Sequence, residues 1–161
     1  MTYPLRRARQ ALSEAQCEAL LREGLFGVLS LADGEDYPYG VPLSYVYQDK
    51  TLYFHCALSG HKLSCIAKNS KACFTVVLKD EIHPEHFTTY FESVMAFGKV
   101  SVVTDETKRK EMLTAIGPKY GPQDGQGLDQ EVSSSLERVT LLSFTIDVLT
   151  GKQAIELVKN Q

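Results

Sequence analysis

Thr51-Leu52-Tyr53-Phe54-His55-Cys56-Ala57-Leu58-Ser59-Gly60-His61-Lys62 is the stretch on which the fold turns. Its first six residues are β-branched, aromatic and aliphatic enough to make a strand. Ala57 to Gly60 form a small-residue turn, and beyond it Leu63, Ile66 and Ala67 fall at the spacing of a short helix's apolar face, with Asn69 at its end. A strand that passes through a glycine turn into a helix leaves free backbone N–H groups and a partial positive charge at the turn. Gly60 permits close approach of an anion, and His61 and Lys62 add donors, so the segment is a credible phosphate cradle. The same residues would also serve as a solvated turn and cap.

Upstream, Gln48-Asp49-Lys50 is a tight turn preceded by an extended run over 37–47. Asp33-Gly34 separates that run from another over 25–32, so the two read as a hairpin, and with 51–56 they make a three-stranded meander. Before these, Ser13-Glu14-Ala15-Gln16 is a capping box, with Leu12 placed to staple onto Cys17. Cys17, Leu20 and Leu21 give the helix its apolar face, and Gly24 supplies a stop.

Downstream, residues 71–78 alternate Ala72, Phe74, Val76 and Leu78 with Cys73, Thr75 and Val77, so both faces are apolar enough to be covered. A polar loop is expected over 79–86, then a long extended run over 88–103 with a bulge or bend at Gly98. Thr104 or Asp105 caps a helix carrying Met112, Leu113 and Ile116, which Gly117-Pro118 ends. Residues 117–128 read as an irregular connection, 139–148 as the last strand, and 149–152 as a turn into a short tail. Six mostly antiparallel strands with short helices at the joints predict a mainly β fold, a small closed or split barrel, in one domain over 1–161.

Composition narrows the function. Seventeen basic against twenty acidic residues give a net charge of -3, which argues against a nucleic-acid grip. No segment has the roughly 18 unbroken apolar residues of a membrane helix, and Arg6, Arg7 and Arg9 are followed by Gln10, Ser13 and Glu14 rather than by an apolar signal core, so residues 1–12 read as a solvated basic arm. A cytoplasmic protein without membrane contact is expected. Cys17, Cys56, Cys65 and Cys73 include no C-x-x-C pair and read as reduced, buried hydrophobes.

Phe54-His55-Cys56-Ala57 followed by Gly60-His61-Lys62 resembles the stretch "F-H-[SC]-A-x-x-G-[RH]-K" of the flavin-binding split-barrel proteins related to pyridoxamine 5′-phosphate oxidase, and is most similar to their nitroimidazole-resistance (Nim-like) branch. Gly27-Val28-Leu29-Ser30, the run from Tyr37 to Tyr45, and Tyr90-Phe91-Glu92-Ser93-Val94 with Gly98 agree in the same order. The resemblance implies a six-stranded antiparallel Greek-key split barrel that binds FMN in a groove between two protomers of a homodimer. Ser59, Gly60, His61 and Lys62 would hold the phosphate. Val41, Pro42, Leu43 and Tyr45 would line the ring system, and His55, Cys56 and Ala57 would run beside its amide edge, with His55 facing the substrate. Tyr90 and Ser93 would approach from the long strand, in one arrangement that of the other protomer.

Two departures matter. The vitamin B6 oxidases carry a basic R-x-x-x-L-K type motif and a Trp- and Arg-bearing C-terminal signature, and this chain has no tryptophan, so it is not expected to oxidise vitamin B6. Arginine is commoner than His61 in the cradle, and serine commoner than Cys56; an imidazole in place of a guanidinium makes phosphate binding weaker and pH-sensitive. His83-Pro84-Glu85-His86 reads as a solvent-facing loop rather than a metal site, because proline prevents both imidazoles from sharing a helical face. Cys56 and His55 are adjacent in a strand and face opposite ways, which rules out a Cys-His nucleophile pair. The expected function is an FMN-dependent oxidoreductase passing electrons, with NADH or NADPH as a possible donor, to a small acceptor such as a nitro-aromatic. His55 is the candidate proton donor. The alternative is a non-catalytic FMN- or haem-binding protein acting as sensor or store.

Overall fold

The computed structural model describes residues 5–32, 34, 37–122 and 124–158. Ser13 opens helix α1 (Glu14–Glu23) with the expected capping box, its side chain accepting from the Gln16 N–H while Gln16 reaches back to the Ser13 N–H. Strands β1 (Phe26–Leu31) and β2 (Tyr39–Ser44) follow, then β3 (Val46–Gln48) and β4 (Thr51–Cys56). Helix α2 (His61–Lys68) leads to the long strands β5 (Lys71–His83) and β6 (Thr88–Val102), helices α3 (Glu106–Tyr120) and α4 (Leu128–Ser135), and β7 (Thr140–Gln153).

All pairings are antiparallel, and the strand order is β2-β1-β5-β6-β7-β4-β3. The two edge strands, β2 and β3, are consecutive in the chain and separated by Tyr45 alone. A sheet whose edges are joined by one residue has to curl until they meet, so this one closes into a barrel. Beyond Tyr45 the edges diverge: β3 covers β4 only from Thr51 to Tyr53, and β2 turns to pair with β1. The barrel is split between β2 and the end of β4.

The expected hairpin of β1 and β2 is present; Asp33 of its expected turn lies outside the described residues. The expected meander is corrected. The run over 37–47 is two strands that pair at opposite edges, which gives seven strands instead of six. The polar segment 79–83 is not a loop: it extends β5 and pairs with Thr88–Glu92, from Lys79↔Glu92 to His83↔Thr88. This two-stranded ribbon is polar because much of it faces solvent. Strand β7 also runs on through 149–153, paired to β6, where a turn was expected. A register shift falls at Phe97/Gly98 as predicted, and a side chain at Gly98 would collide with the Thr145 backbone.

Helix α3 is capped by the Asp105 side chain at the Lys108 N–H but does not stop at Gly117-Pro118. Three further residues remain helical, and the irregular connection shrinks to 121–127 before the unforeseen α4. Pro118 withholds one N–H from the ladder, and the side chains that follow it are anchored elsewhere in the fold.

Two cores result. Inside the barrel lie Leu29, Tyr45, Leu52, Phe54, Phe74, Val76, Val94, Ala96, Leu142 and Phe144, closed by Cys17 and Leu21 of α1 and by Cys65 and Ile66 of α2. On the outer face Tyr53 and Leu141 are covered by Met112, Leu113 and Ile116 of α3 and Val132 of α4. Arg6, Arg7 and Arg9 are exposed as expected, yet the arm is anchored where Gln10 is buried and the Leu12 N–H donates to the Gly151 carbonyl at 3.0 Å.

Candidate functional site

The split exposes backbone that a closed barrel would pair. β4 beyond Tyr53 has β7 on one side and no strand on the other, and β2 is paired on its β1 side alone. Unpaired strand edges of this kind can bond an amide-bearing ring. Side chains alternate as the strand requires: Phe54 and Cys56 are buried inward, while His55 faces out and is exposed. Burial pushes the Cys56 thiol up, and the nearby Lys62 charge works against that shift, so Lys62 sits close to the end of β4.

Immediately after β4, Gly60 stands at the N-cap of α2 with φ 144° and ψ 165°, a conformation reserved in practice for glycine. No side chain caps this helix, and a Cβ at Gly60 would meet nothing within 4 Å. The first backbone N–H groups of an α-helix have no partner in its own ladder, so those at His61 and Lys62 are free to meet an anion. Ser59, Gly60 and His61 are exposed and Lys62 is half-buried. The His61 ring is held, its Nε2 lying 3.4 Å from Cys65 Sγ and its edge packed against Tyr39 with centroids 4.8 Å apart. Tyr39 lies in the run from Tyr37 to Tyr45 that carries the resemblance, and the structure adds its contact with His61.

Val41 and Leu43 are half-buried against the barrel core, and Pro42 faces outward, so β2 offers its backbone edge and Pro42 to the split. Tyr45 is a correction. Its side chain is 0% exposed, packs edge-on against Phe74 at 5.0 Å, and cannot line a groove. Burial pushes its phenol well up. Tyr90 and Ser93 are not brought to the cradle in this protomer: Tyr90 pairs with Glu81 at the far end of the β5–β6 ribbon and stacks on His83 at 3.8 Å, and Ser93 pairs with Val77. His83 Nδ1 lies 3.1 Å from a Glu85 carboxylate oxygen. Among the described residues no three His, Cys, Asp or Glu side chains group as a metal site.

A second feature was not foreseen. Tyr120, near the end of α3, places its hydroxyl where the strand changes partner: it accepts the Tyr45 N–H at 2.9 Å and shares its proton between the Tyr45 carbonyl, 2.7 Å away, and that of Leu25. Beside it Lys119 donates to the Gly24 carbonyl and lies 4.4 Å over the Tyr45 ring, its ammonium pushed down by burial. These contacts replace the pairing that Tyr45 gives up at the split. The α3–α4 hairpin then forms a cleft of about 410 Å³ with His55 on its wall, together with Ile116, Leu128, Val132 and Tyr120.

A split barrel with two free strand edges beside an uncapped, glycine-opened helix N-terminus is the class of fold this chain builds. The family model described as pyridoxamine 5′-phosphate oxidase matches residues 13–153, and the chain belongs to that family. Among solved structures it is similar to a candidate 5-nitroimidazole antibiotic resistance protein from Bacteroides thetaiotaomicron, 24% identical, covering 89% of this chain and 86% of that one with a TM-score of 0.75. It also resembles a flavocytochrome from Azotobacter vinelandii (18% identical, 99% and 76% covered, TM-score 0.80) and an FAD- and haem-binding protein from Mycobacterium smegmatis (18% identical, 95% and 77% covered, TM-score 0.74). At these identities the likeness is one of fold. No curated protein matches the chain. Among the described residues no helix is long and apolar enough to cross a membrane.

Proposed function

We propose that this protein is a cytoplasmic FMN-dependent oxidoreductase that reduces small acceptors such as nitro-aromatics and works as a homodimer. The observation that carries the reading is the uncapped α2 N-terminus with Gly60, His61 and Lys62, set directly beside the free end of β4. Backbone N–H groups at His61 and Lys62, with the Lys62 and Ser59 side chains, would hold the phosphate. The backbone edges of Val41–Leu43 and of His55–Ala57 would hold the ring. Bound flavin supplies the two-electron chemistry; reduction of a nitro group to a nitroso group consumes two electrons and two protons and releases water. His55, which is exposed and lines the α3–α4 cleft, would deliver a proton to the acceptor oxygen. NADH or NADPH would visit the same groove.

The dimer reading rests on the outer face of the sheet. Phe26 and Val28 of β1, Val77 of β5 and Met95 of β6 face outward and are 66%, 38%, 58% and 40% exposed. The register Val28↔Thr75↔Met95 with Val77↔Ser93 makes them one patch on three neighbouring strands. Apolar patches of this kind mark interaction surfaces, and a second copy there would supply Ser93 and Tyr90 to the other protomer's groove. All four cysteines are free, in keeping with a reducing compartment.

The visible spectrum of the purified protein is the first test: a flavin doublet supports the proposal, a Soret band supports haem storage or sensing, and a colourless protein that refuses added FMN overturns it. Lys62→Ala is expected to weaken FMN binding roughly tenfold or more, the worth of a charge-assisted bond. Unchanged affinity would refute the phosphate assignment. Flavin that neither nicotinamide donor reduces, or that passes no electrons to a nitro-aromatic, would refute the enzyme.

A further inference from the structure

We propose that the α3–α4 cleft is a binding site for uncharged, flat aromatic molecules, and that it forms the acceptor's own subsite, apart from the cradle on β2, β4 and α2. Its role as an acceptor subsite rests on the flavin reading; its ligand class does not.

The walls come from both cores' neighbours. Leu113 and Ile116 of α3 and Val132 of α4 are buried in the outer core and also line the cleft, so its floor is fixed by packing rather than by mobile side chains. Leu128 forms another wall because Gly117 has no Cβ to meet it, which lets α4 close directly on α3. The opposite wall is His55, and the Tyr120 ring is pinned there by the bonds of its hydroxyl to Tyr45. About 410 Å³ lies within the range of small-molecule sites and suits one or two fused rings.

The chemistry of the walls selects the ligand. The floor is aliphatic, so a charged ring would lose water without gaining a partner there. Among the described lining residues Glu131 is the acidic one and none is Lys or Arg, so an anion meets a carboxylate instead of a counter-ion. Glu131 itself is occupied, accepting from Ser135 Oγ at 2.7 Å and lying 3.8 Å from the Arg138 guanidinium. His55 offers its ring nitrogens to the cleft, the Tyr120 hydroxyl being engaged by Tyr45, and it precedes Cys56 and Ala57 on the same chain segment. A molecule with its apolar body against Ile116 and Val132 would present a nitro or carbonyl oxygen to His55, at the strand end that borders the cradle.

The test is a titration of the full-length protein, with and without saturating FMN, using neutral para-nitrobenzyl alcohol and anionic para-nitrobenzoate, read by NMR of the valine and leucine methyls and the histidine rings. The neutral probe is expected to shift Val132, Leu128 and His55 in both samples and to bind roughly tenfold or more tightly than the anion. Ser135→Trp, which adds a large ring at a lining position, should cut neutral-probe affinity by a similar factor and leave FMN affinity unchanged; Gln126→Trp, at another lining position, should do the same. Shifts confined to β2 and α2, equal binding of the two probes, or no loss in either folded Trp variant would overturn the site. FMN that fails to bind while the probe shifts persist would refute the flavin reading and leave this one standing.

Discussion

At the scale of single residues, burial decides which reactive groups stay quiet. Cys17, on the inner face of α1, is buried against Gly151, and burial pushes its thiol up to about 11. A free cysteine titrates near 8.5, and the thiolate is the reactive form. At pH 8 Cys17 should therefore react with a thiol reagent roughly a hundredfold more slowly than a free cysteine, and its rate should climb as pH rises toward 11. Native and unfolded labelling rates followed by mass spectrometry check this. His61 opens α2, its ring held between Cys65 and Tyr39. His61→Arg puts a permanently charged, planar fork of donors at that turn and should tighten FMN binding, as a fluorescence titration would show. Gly24 teaches a different lesson. It ends α1 as expected, but its φ of -60° is open to any residue; glycine is required because a Cβ would lie 2.5 Å from Tyr45 Oη and 2.9 Å from Val76 Cγ1.

At the scale of elements, Tyr120 shows why local rules failed at Pro118. A glycine-proline pair is a sound stop signal, yet Lys119 and Tyr120 gain bonds to Gly24, Leu25 and Tyr45 only if the helix continues one more turn. Those partners are 75 to 95 residues away, so no window of sequence contains the reason. Tyr120→Phe leaves the Tyr45 N–H and carbonyl without their partner and is expected to cost about 1–3 kcal/mol. A calorimetric melt should show a fall in Tm of roughly 2–4 °C per kcal/mol for a chain of this size. The polar ribbon 79–83 misled for the opposite reason: Lys79, Asp80 and Glu81 carry no strand signal, and their pairing partners on β6 hold them extended. By contrast α1, β4, α2 and the Asp105 cap were readable because each depends on neighbours within four residues.

At the scale of the whole molecule, the apolar outer patch and the split face the same question of what completes them. Val77→Lys places a charge in the middle of that patch and is expected to convert a dimer to a monomer at micromolar concentration with the fold intact. Gel filtration with light scattering reads the outcome, and a wild-type monomer would remove the shared groove. The strand periods, the caps, the glycine turn at 57–60 and the family's motif order are set by residues close in sequence, and from them the mainly β class and the glycine-opened start of α2 follow directly. The partner of each strand is not local. Residues 37–47 look like one strand because each half has the same period, and only closure of the sheet forces Tyr45 inward, sends β2 and β3 to opposite edges, opens the split and seats α3 across it. Hydrogen bonds along a strand edge are satisfied by whichever chain arrives there, and that is decided by how the layers pack.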